Sequence, residues 1–344
     1  MKLSTLLLSS AALVVAGTAY AADLPAKKGA PAAKPATGCP AFGAGFFQIP
    51  GGDTCINFSG YMKYNGSYTS DSTNADTPSY TQAGAFRLNV DTRSNTEIGT
   101  VRGFGRLQSG ALDKAYVQFS GVTAGQLSSL ADIAGTNAEN YGSNLGRGTT
   151  SGLQYAATLG AATLSIGLEN ADNNNSSGVA DRPDVLLGLN TKAGPADVKI
   201  VAVSHEAANG STTTQGYALI GRIGATLGGG FGAAVFGGTG EAANGYVGAK
   251  KLTDYDGTDK SKATNFGGEV LFSTGSGTFA LAADQSEEKR GSSSTKVTNY
   301  GVSFVYNVTK GLAVEPEFVS ETVDISGGSK TTSNIAYLRI QRDF

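Results

Sequence analysis

The sequence alternates between apolar and polar side chains over many short stretches, and this alternation constrains the fold more than any other feature. In residues 56–68 the even-numbered positions are apolar, aromatic or glycine, whereas the odd-numbered positions carry Asn, Ser, Tyr and Lys. Residues 86–91 and 299–308 repeat the pattern. Because successive side chains of a β-strand point to opposite faces, the pattern predicts strands with one apolar and one polar face.

The composition indicates what the two faces would contact. Only 16% of the residues are charged, and the polar faces carry Arg, Lys and Glu. After residue 21 no stretch approaches the about 20 apolar residues that a membrane helix needs, and there are few of the apolar runs that would fill the core of a soluble domain of this size. We therefore expect an all-β chain whose polar faces line water and whose apolar faces contact lipid. The lipid-facing set includes Phe58, Leu88, Val90, Leu338 and Ile340.

Sixteen segments fit a strand pattern, and the connections between them alternate in length. The segments are 56–69, 80–91, 98–108, 112–120, 122–128, 150–159, 161–169, 183–193, 196–206, 214–227, 229–239, 263–274, 277–286, 296–308, 312–323 and 332–344. From residue 150 onward, tight breaks alternate with longer polar connections at 170–182, 207–213, 240–262, 287–295 and 324–331. Short turns at one end and long loops at the other are typical of outer-membrane barrels. We predict a 16-stranded antiparallel transmembrane β-barrel over residues 56–344.

The N-terminal region reads as an export signal followed by a spacer. Residues 1–21 have a basic start, an apolar middle and a small-residue cleavage site, which predicts a signal peptide. Residues 22–38 are rich in Lys, Pro and Ala and predict an extended periplasmic spacer. Export permits a disulfide between Cys39 and Cys55, the two cysteines of the chain. Closing the 39–55 loop would stabilise the fold by roughly 3 kcal/mol; two free thiols are the alternative.

Several segments carry a family resemblance. FGAGFFQIPGGDTC, the mature start ADLPAKK, TRSNTEIGTVRGFGRLQ and LDKAYVQF together resemble the alphaproteobacterial outer-membrane porins of the rhizobial and Brucella type. The final residues, NIAYLRIQRDF, resemble the C-terminal assembly signal of outer-membrane barrels. The resemblance implies a homotrimer, a water-filled channel and a third loop folded inward. Some barrels of this kind that begin Ala-Asp are thought to be joined to peptidoglycan, which would involve Ala22 and Asp23 here.

These expectations lead to a candidate pore constriction. The connection 129–150 is long among short neighbours and carries Asp132 and Glu139. If it folds inward, both carboxylates would face a basic patch that the alternation places on the inner wall. That patch consists of Arg87, Arg102, Arg106 and Lys114. The alternatives are a surface loop that points outward and basic residues that merely line a wide vestibule.

The predicted function is passive diffusion of small hydrophilic solutes and ions across a Gram-negative outer membrane. The formal net charge of −2 gives no basic face for nucleic acid, and we expect no cofactor, no metal and no enzymatic activity. His205, the one histidine, adjoins Ser204, but neighbouring strand residues point apart, so they cannot form a local pair. A calcium site at Asp254, Asp256 and Asp259 is a weaker alternative to a solvated loop. A surface adhesin or receptor barrel without transport is the main rival, and it would be favoured by an interior packed with large apolar residues.

Overall fold

A computed structural model describes residues 37–72, 79–133, 141, 145–171 and 180–344. In this part of the chain the structure is almost entirely antiparallel sheet, with a short first strand, β1 (Phe47–Gln48), a 3₁₀ turn (Pro40–Phe42) and an α-helical turn, α1 (Asn244–Val247). Sixteen longer strands follow β1 in the described residues. They are β2 (Cys55–Asp71), β3 (Ser79–Thr96), β4 (Gly99–Gln108), β5 (Ala111–Phe119), β6 (Val122–Ser128), β7 (Thr149–Leu159), β8 (Ala162–Glu169), β9 (Asp184–Ala193), β10 (Ala196–Asn209), β11 (Thr212–Gly228), β12 (Phe231–Glu241), β13 (Lys262–Thr274), β14 (Gly277–Arg290), β15 (Ser293–Thr309), β16 (Leu312–Ile325) and β17 (Lys330–Asp343). Among the described residues, no helix is long and apolar enough to cross a membrane.

The sheet closes on itself. Each of the sixteen strands pairs with its neighbours in the sequence, and β17 returns to pair with β2 from Ser333 opposite Asp71 to Asp343 opposite Tyr61. The last residue completes this seam, since the backbones of Phe344 and Gly60 exchange two hydrogen bonds of 3.1 and 3.2 Å. Closure leaves no unpaired sheet edge. The predicted 16-stranded antiparallel barrel is confirmed.

The two faces of the sheet differ as the alternation predicts. Phe58, Leu338 and Ile340 lie on the outer surface and are exposed, and Leu88 and Val90 lie on the same face, partly covered. Four phenylalanines form a continuous outer row across β12 to β15, each directly opposite the next. These are Phe231, Phe272, Phe279 and Phe304, and the first two rings are 4.7 Å apart. Such an aromatic row is typical of the membrane–water interface of a barrel.

Three connections are shorter than the sequence suggests. The segments 207–213, 287–295 and 324–331 were predicted as long loops, but β10–β11 and β14–β15 are joined by two-residue turns and β16–β17 by four residues. The strands β14 and β15, for example, continue past the apolar band into a stretch where both faces are polar. There, Glu287 pairs with Lys296 and Lys289 with Ser294 in the β14–β15 ladder. The alternation is lost in such stretches although the backbone ladder persists, so sequence pattern alone ended these strands too early.

The N-terminal segment is tied to the barrel seam. Cys39 and Cys55 form the predicted disulfide, with their Cα atoms 6.3 Å apart. The loop between them turns back so that Phe47 pairs with Ile56 and Gln48 with Cys55 on β2. Because β17 ends opposite Tyr61, β1 occupies the stretch of the β2 edge that β17 leaves free. The predicted signal peptide and most of the spacer lie outside the described residues.

Candidate channel lumen

The predicted basic residues lie together on the inner face of β3, β4 and β5. Arg102 and Arg93 both donate to Asp91, with closest contacts of 2.9 Å. Arg106 donates to Asn89 Oδ1 at 2.9 Å and lies 3.4 Å from an Asp113 carboxylate oxygen. These side chains are therefore held against the wall by hydrogen bonds and still reach water, since between a fifth and a third of each arginine is exposed.

The basic residues form two groups at different heights along the barrel. Arg87 donates to Gln108, Lys114 donates to Ser128, and Arg87, Arg106 and Asp132 all lie within electrostatic range of the Lys114 ammonium. Arg102 belongs to the second group with Arg93, whose guanidinium is 4.7 Å from the Phe46 ring of the disulfide-closed segment. The first group, Arg87, Arg106 and Lys114, therefore lies near Asp132. Arg102 lies in the second group, beside the N-terminal segment. Glu139 lies outside the described residues.

Residues at the two ends of the connection between β6 and β7 lie against the barrel interior. Ser129 donates to Glu169 of β8 at 2.6 Å, and the Leu130 backbone N–H donates to the same carboxylate at 2.9 Å. Ile133 and Leu145 are buried in an apolar cluster with inward side chains of β9 to β13. Asp132 is exposed and borders a cavity that Lys199 of β10 also lines.

Tyr141, a residue of this connection, lies against β14 and β16 on the opposite wall. Its backbone N–H donates to Glu317 Oε1 of β16 at 2.9 Å, and its hydroxyl donates to Asp284 Oδ1 of β14 at 2.6 Å. The ring packs against Ala282 and Val319. A Cβ at Gly301 would come within 2.7 Å of this ring, so glycine at that inward position makes room for it. Burial and the neighbouring Asp284 carboxylate raise the pKa of the Tyr141 hydroxyl well above its ordinary value.

The connection between β12 and β13 also folds inward. All four residues of α1 are buried. The Glu288 carboxylate of β14 accepts backbone N–H groups of Lys250, Lys251 and Leu252 at 2.6 to 2.9 Å. The two inward connections meet where the Gly146 backbone N–H donates to the Tyr246 carbonyl at 2.8 Å. The interior beside β9 to β13 is therefore packed with loop residues and apolar side chains, while the interior beside β2 to β5 retains its polar wall.

His205 lies in the packed half, where its Nε2 is 3.7 Å from Asp254 of the connection between β12 and β13. Its Nδ1 is 2.8 Å from Asp184 Oδ1, and Asp184 also accepts a 2.5 Å hydrogen bond from Tyr246. Burial and the Asp184 charge raise the pKa of the Tyr246 hydroxyl well above its ordinary value. The His205 side chain is fully buried, whereas Ser204 points to the other face. This arrangement joins the connection between β12 and β13 to the barrel wall. It presents no exposed pair of a nucleophile and a general base.

The aspartates weighed as a calcium site have other partners. Asp254 is buried and accepts the Asn244 backbone N–H at 2.5 Å. Asp256 accepts backbone N–H groups of Asp259 and Thr258, which hold its pKa below the usual range. Within the described ranges, no group of three or more His, Cys, Asp or Glu side chains is arranged to hold a metal ion.

Sequence reasoning missed the inward carboxylates that anchor the loops. Glu169, Glu288 and Glu317 accept backbone N–H groups of residues that the sequence places far away. The available signal was a carboxylate at an inward strand position, which the alternation gives for Glu169 and Glu317. Glu288 lies in a stretch that was predicted as a loop, so no such signal was available for it. That signal does not say which loop the carboxylate meets.

Comparison with known proteins identifies the family. Residues 30–338 match a family model described as "Porin subfamily". The chain belongs to this porin family. Its outer surface and closed sheet fit that assignment, and the family and fold place this porin in the outer membrane. A family of channels gives no indication of an enzyme.

Two porins from Brucella species are similar in sequence to part of this chain. Porin Omp2b of Brucella canis is 39% identical over 110 residues, which are 31% of this chain and 30% of that protein. Porin Omp2a of Brucella ovis is 38% identical over 110 residues, 31% of this chain and 32% of that protein. This porin therefore matches less than a third of the length of each of these relatives.

Solved structures share the fold over most of the chain. The outer membrane channel DcaP of Acinetobacter baumannii has a TM-score of 0.76 at 14% identity, covering 87% of this chain and 99% of that one. OmpT of Vibrio cholerae, in a structure described as the trimer form, has a TM-score of 0.59 at 9% identity, covering 85% of this chain and 100% of that one. At these identities the likeness is one of fold.

Proposed function

We propose that this porin is a water-filled channel through which small hydrophilic solutes and ions diffuse passively across the outer membrane. The observation that carries the proposal is the polar inner wall of β3 to β5, where Arg87, Arg102 and Arg106 lie at inward positions and remain part-exposed. Charged side chains that keep contact with water on the inside of a closed barrel imply a hydrated path. The channel has no catalytic role in this proposal.

The constriction in this proposal lies between the basic wall and the inward connection. Arg87, Arg106 and Lys114 form one side, and Asp132 lies beside them at the start of the 129–148 connection. Arg102 belongs to a second basic group, nearer the N-terminal segment. Glu139 is proposed to add a negative charge on the side of the 129–148 connection. Opposed charges at close range keep such a gap hydrated.

The assembly proposed is a homotrimer in outer-membrane lipid. The trimeric form of a structural neighbour and the family membership support it. The region before residue 37 is proposed to comprise a signal peptide over 1–21 and a periplasmic spacer, whose Ala22–Asp23 start is proposed to contact peptidoglycan.

A size series of neutral sugars tests the diffusion proposal. Proteoliposomes that contain the purified barrel should swell in isotonic sugar solutions, and the rate should fall steadily as the sugar becomes larger. Liposomes that contain the heat-unfolded protein provide the control. An adhesin or receptor barrel without transport would give no swelling with any sugar, although the folded barrel is present in the vesicles.

A further inference from the structure

Most carboxylates that point into the barrel are buried, whereas the basic side chains there keep contact with water. Ten carboxylates are buried in the described part of the chain, whereas no lysine or arginine there is buried. Nine of the ten lie between β8 and β16 or on the 242–261 connection; the exception is Asp91 on β3. The chain as a whole has a net charge of −2, so the charge in contact with the lumen cannot be inferred from the total.

The two inward connections are what cover the acidic wall. Glu169 and Glu317 accept backbone N–H groups of the 129–148 connection, and Glu288 accepts three from the 242–261 connection. Glu315 is paired with Arg339. Glu206, which is paired with Arg182, lies on the outward face of β10 and is not part of this wall. A carboxylate that a loop covers is out of contact with ions in the open lumen, and the N–H dipoles directed at it offset part of its charge.

The wall that stays open has an excess of positive charge. The inner faces of β2 to β6 carry six cationic side chains: Lys63, Arg87, Arg93, Arg102, Arg106 and Lys114. The carboxylates of these five strands, all of which are described, are Asp71, Asp91 and Asp113. Even with Asp132 of the adjoining connection included, the cations outnumber the carboxylates.

We propose that this porin prefers anions, so that small inorganic anions and small carboxylate- or phosphate-bearing solutes are the favoured class among those it passes. The inference rests on the proposed channel function. A low-dielectric wall lined by one sign of charge raises the local concentration of the opposite ion. Arg87 adds hydrogen-bonding capacity for such solutes, since it donates to the neutral Gln108 and its guanidinium lies 4.8 Å from the centre of the Tyr61 ring.

The zero-current potential across a planar bilayer gives the sign directly. With the full-length mature protein in a KCl gradient at low salt, chloride preference makes the dilute side negative, and potassium preference makes it positive. We expect the dilute side to be negative, with the potential shrinking as salt is raised because the Debye length falls to about 3 Å at 1 M. A positive dilute side, or no potential at low salt in a barrel that conducts, overturns the inference and leaves the channel function intact. Absence of any conductance overturns both.

Variants locate the origin of the selectivity. Arg87→Gln/Arg106→Gln removes two charges from the open wall and should lower the chloride-to-potassium permeability ratio several-fold. Lys310→Gln/Lys330→Gln removes two charges at the barrel ends, next to turns, and should leave the ratio within about two-fold of the parent. Equal shifts in the two variants would show that net charge, and not the open wall, sets the preference. The sign in the parent protein decides the inference even if the first variant fails to fold.

Discussion

At the residue scale, Tyr141 illustrates how a loop becomes part of the barrel interior. Its two hydrogen bonds reach residues 143 and 176 positions away in the sequence. The alternation predicts that Asp284 and Glu317 point inward, but no local pattern links them to a tyrosine in a distant loop. Inner-wall positions could thus be predicted from the sequence, whereas the loop residue that covers each one could not.

Removing the Tyr141 hydroxyl tests this anchor. Tyr141→Phe keeps the ring against Ala282 and Val319 but removes one donor to Asp284, which also accepts from the amides of Asn265 and Asn299. Loss of a hydrogen bond to a buried charged group costs roughly 1.5–3 kcal/mol, so the thermal unfolding midpoint should fall. Tyr155→Phe, on the exposed outer face, is the matched control. Equal midpoints for the two variants would contradict the anchoring role.

The raised pKa values of Tyr141 and Tyr246 predict a loss of stability at alkaline pH. Both hydroxyls keep their protons in the folded barrel, whereas in the unfolded chain they ionise near pH 10. Their contribution is therefore fully present below about pH 10 and is lost as the pH rises above that value. Unfolding midpoints measured from neutral pH to pH 11 should fall less steeply in Tyr141→Phe/Tyr246→Phe than in Tyr155→Phe. Parallel curves would argue against buried, protonated tyrosines.

At the element scale, the strands were predictable and their ends were less so. The period-two pattern located all sixteen barrel strands because every second side chain of each strand lies on the apolar outer face of the barrel. It ended β10, β14 and β16 too early. At the end of β14, polar side chains lie on both faces of a ladder that continues beyond the apolar band, and at the end of β10 two successive alanines, Ala207 and Ala208, interrupt the alternation. Boundaries there are set by cross-strand hydrogen bonds, which single-strand patterns do not contain.

The contribution of the disulfide-closed segment to the stability of the protein can be measured separately from that of the barrel strands. Cys39→Ser/Cys55→Ser should still form the sixteen-stranded ladder, because β1 adds only two residue pairs to β2. The cross-link should contribute roughly 3 kcal/mol, so the midpoint of urea unfolding should fall measurably. Reduction of the parent protein should reproduce the change, and reduction of the variant should have no effect. A variant with the parent's midpoint would contradict a stabilising role for this cross-link.

At the scale of the whole molecule, the barrel separates a lipid-facing outside from a partly hydrated inside. Ile166 and Ser165 are neighbours on β8 that face opposite ways: Ile166 is exposed on the outer wall, and Ser165 lines the cavity beside Asp132 and Lys199. Ile166→Lys should cost about 2–4 kcal/mol in folding into lipid vesicles, as expected for a charge near the bilayer midplane. Ser165→Lys should cost much less, because its ammonium reaches water. Similar costs for the two variants would contradict the assignment of faces.

The central claim, that the open half of the interior is a continuous water-filled path, is tested most directly by single-channel recording. Purified barrel added to a planar lipid bilayer should give stepwise current increases of uniform size. The step conductance should be ohmic and should rise with the bulk conductivity of the salt solution, as expected for ions that move through water. Folded barrels that insert into the bilayer and give no current steps at any salt concentration would contradict the account.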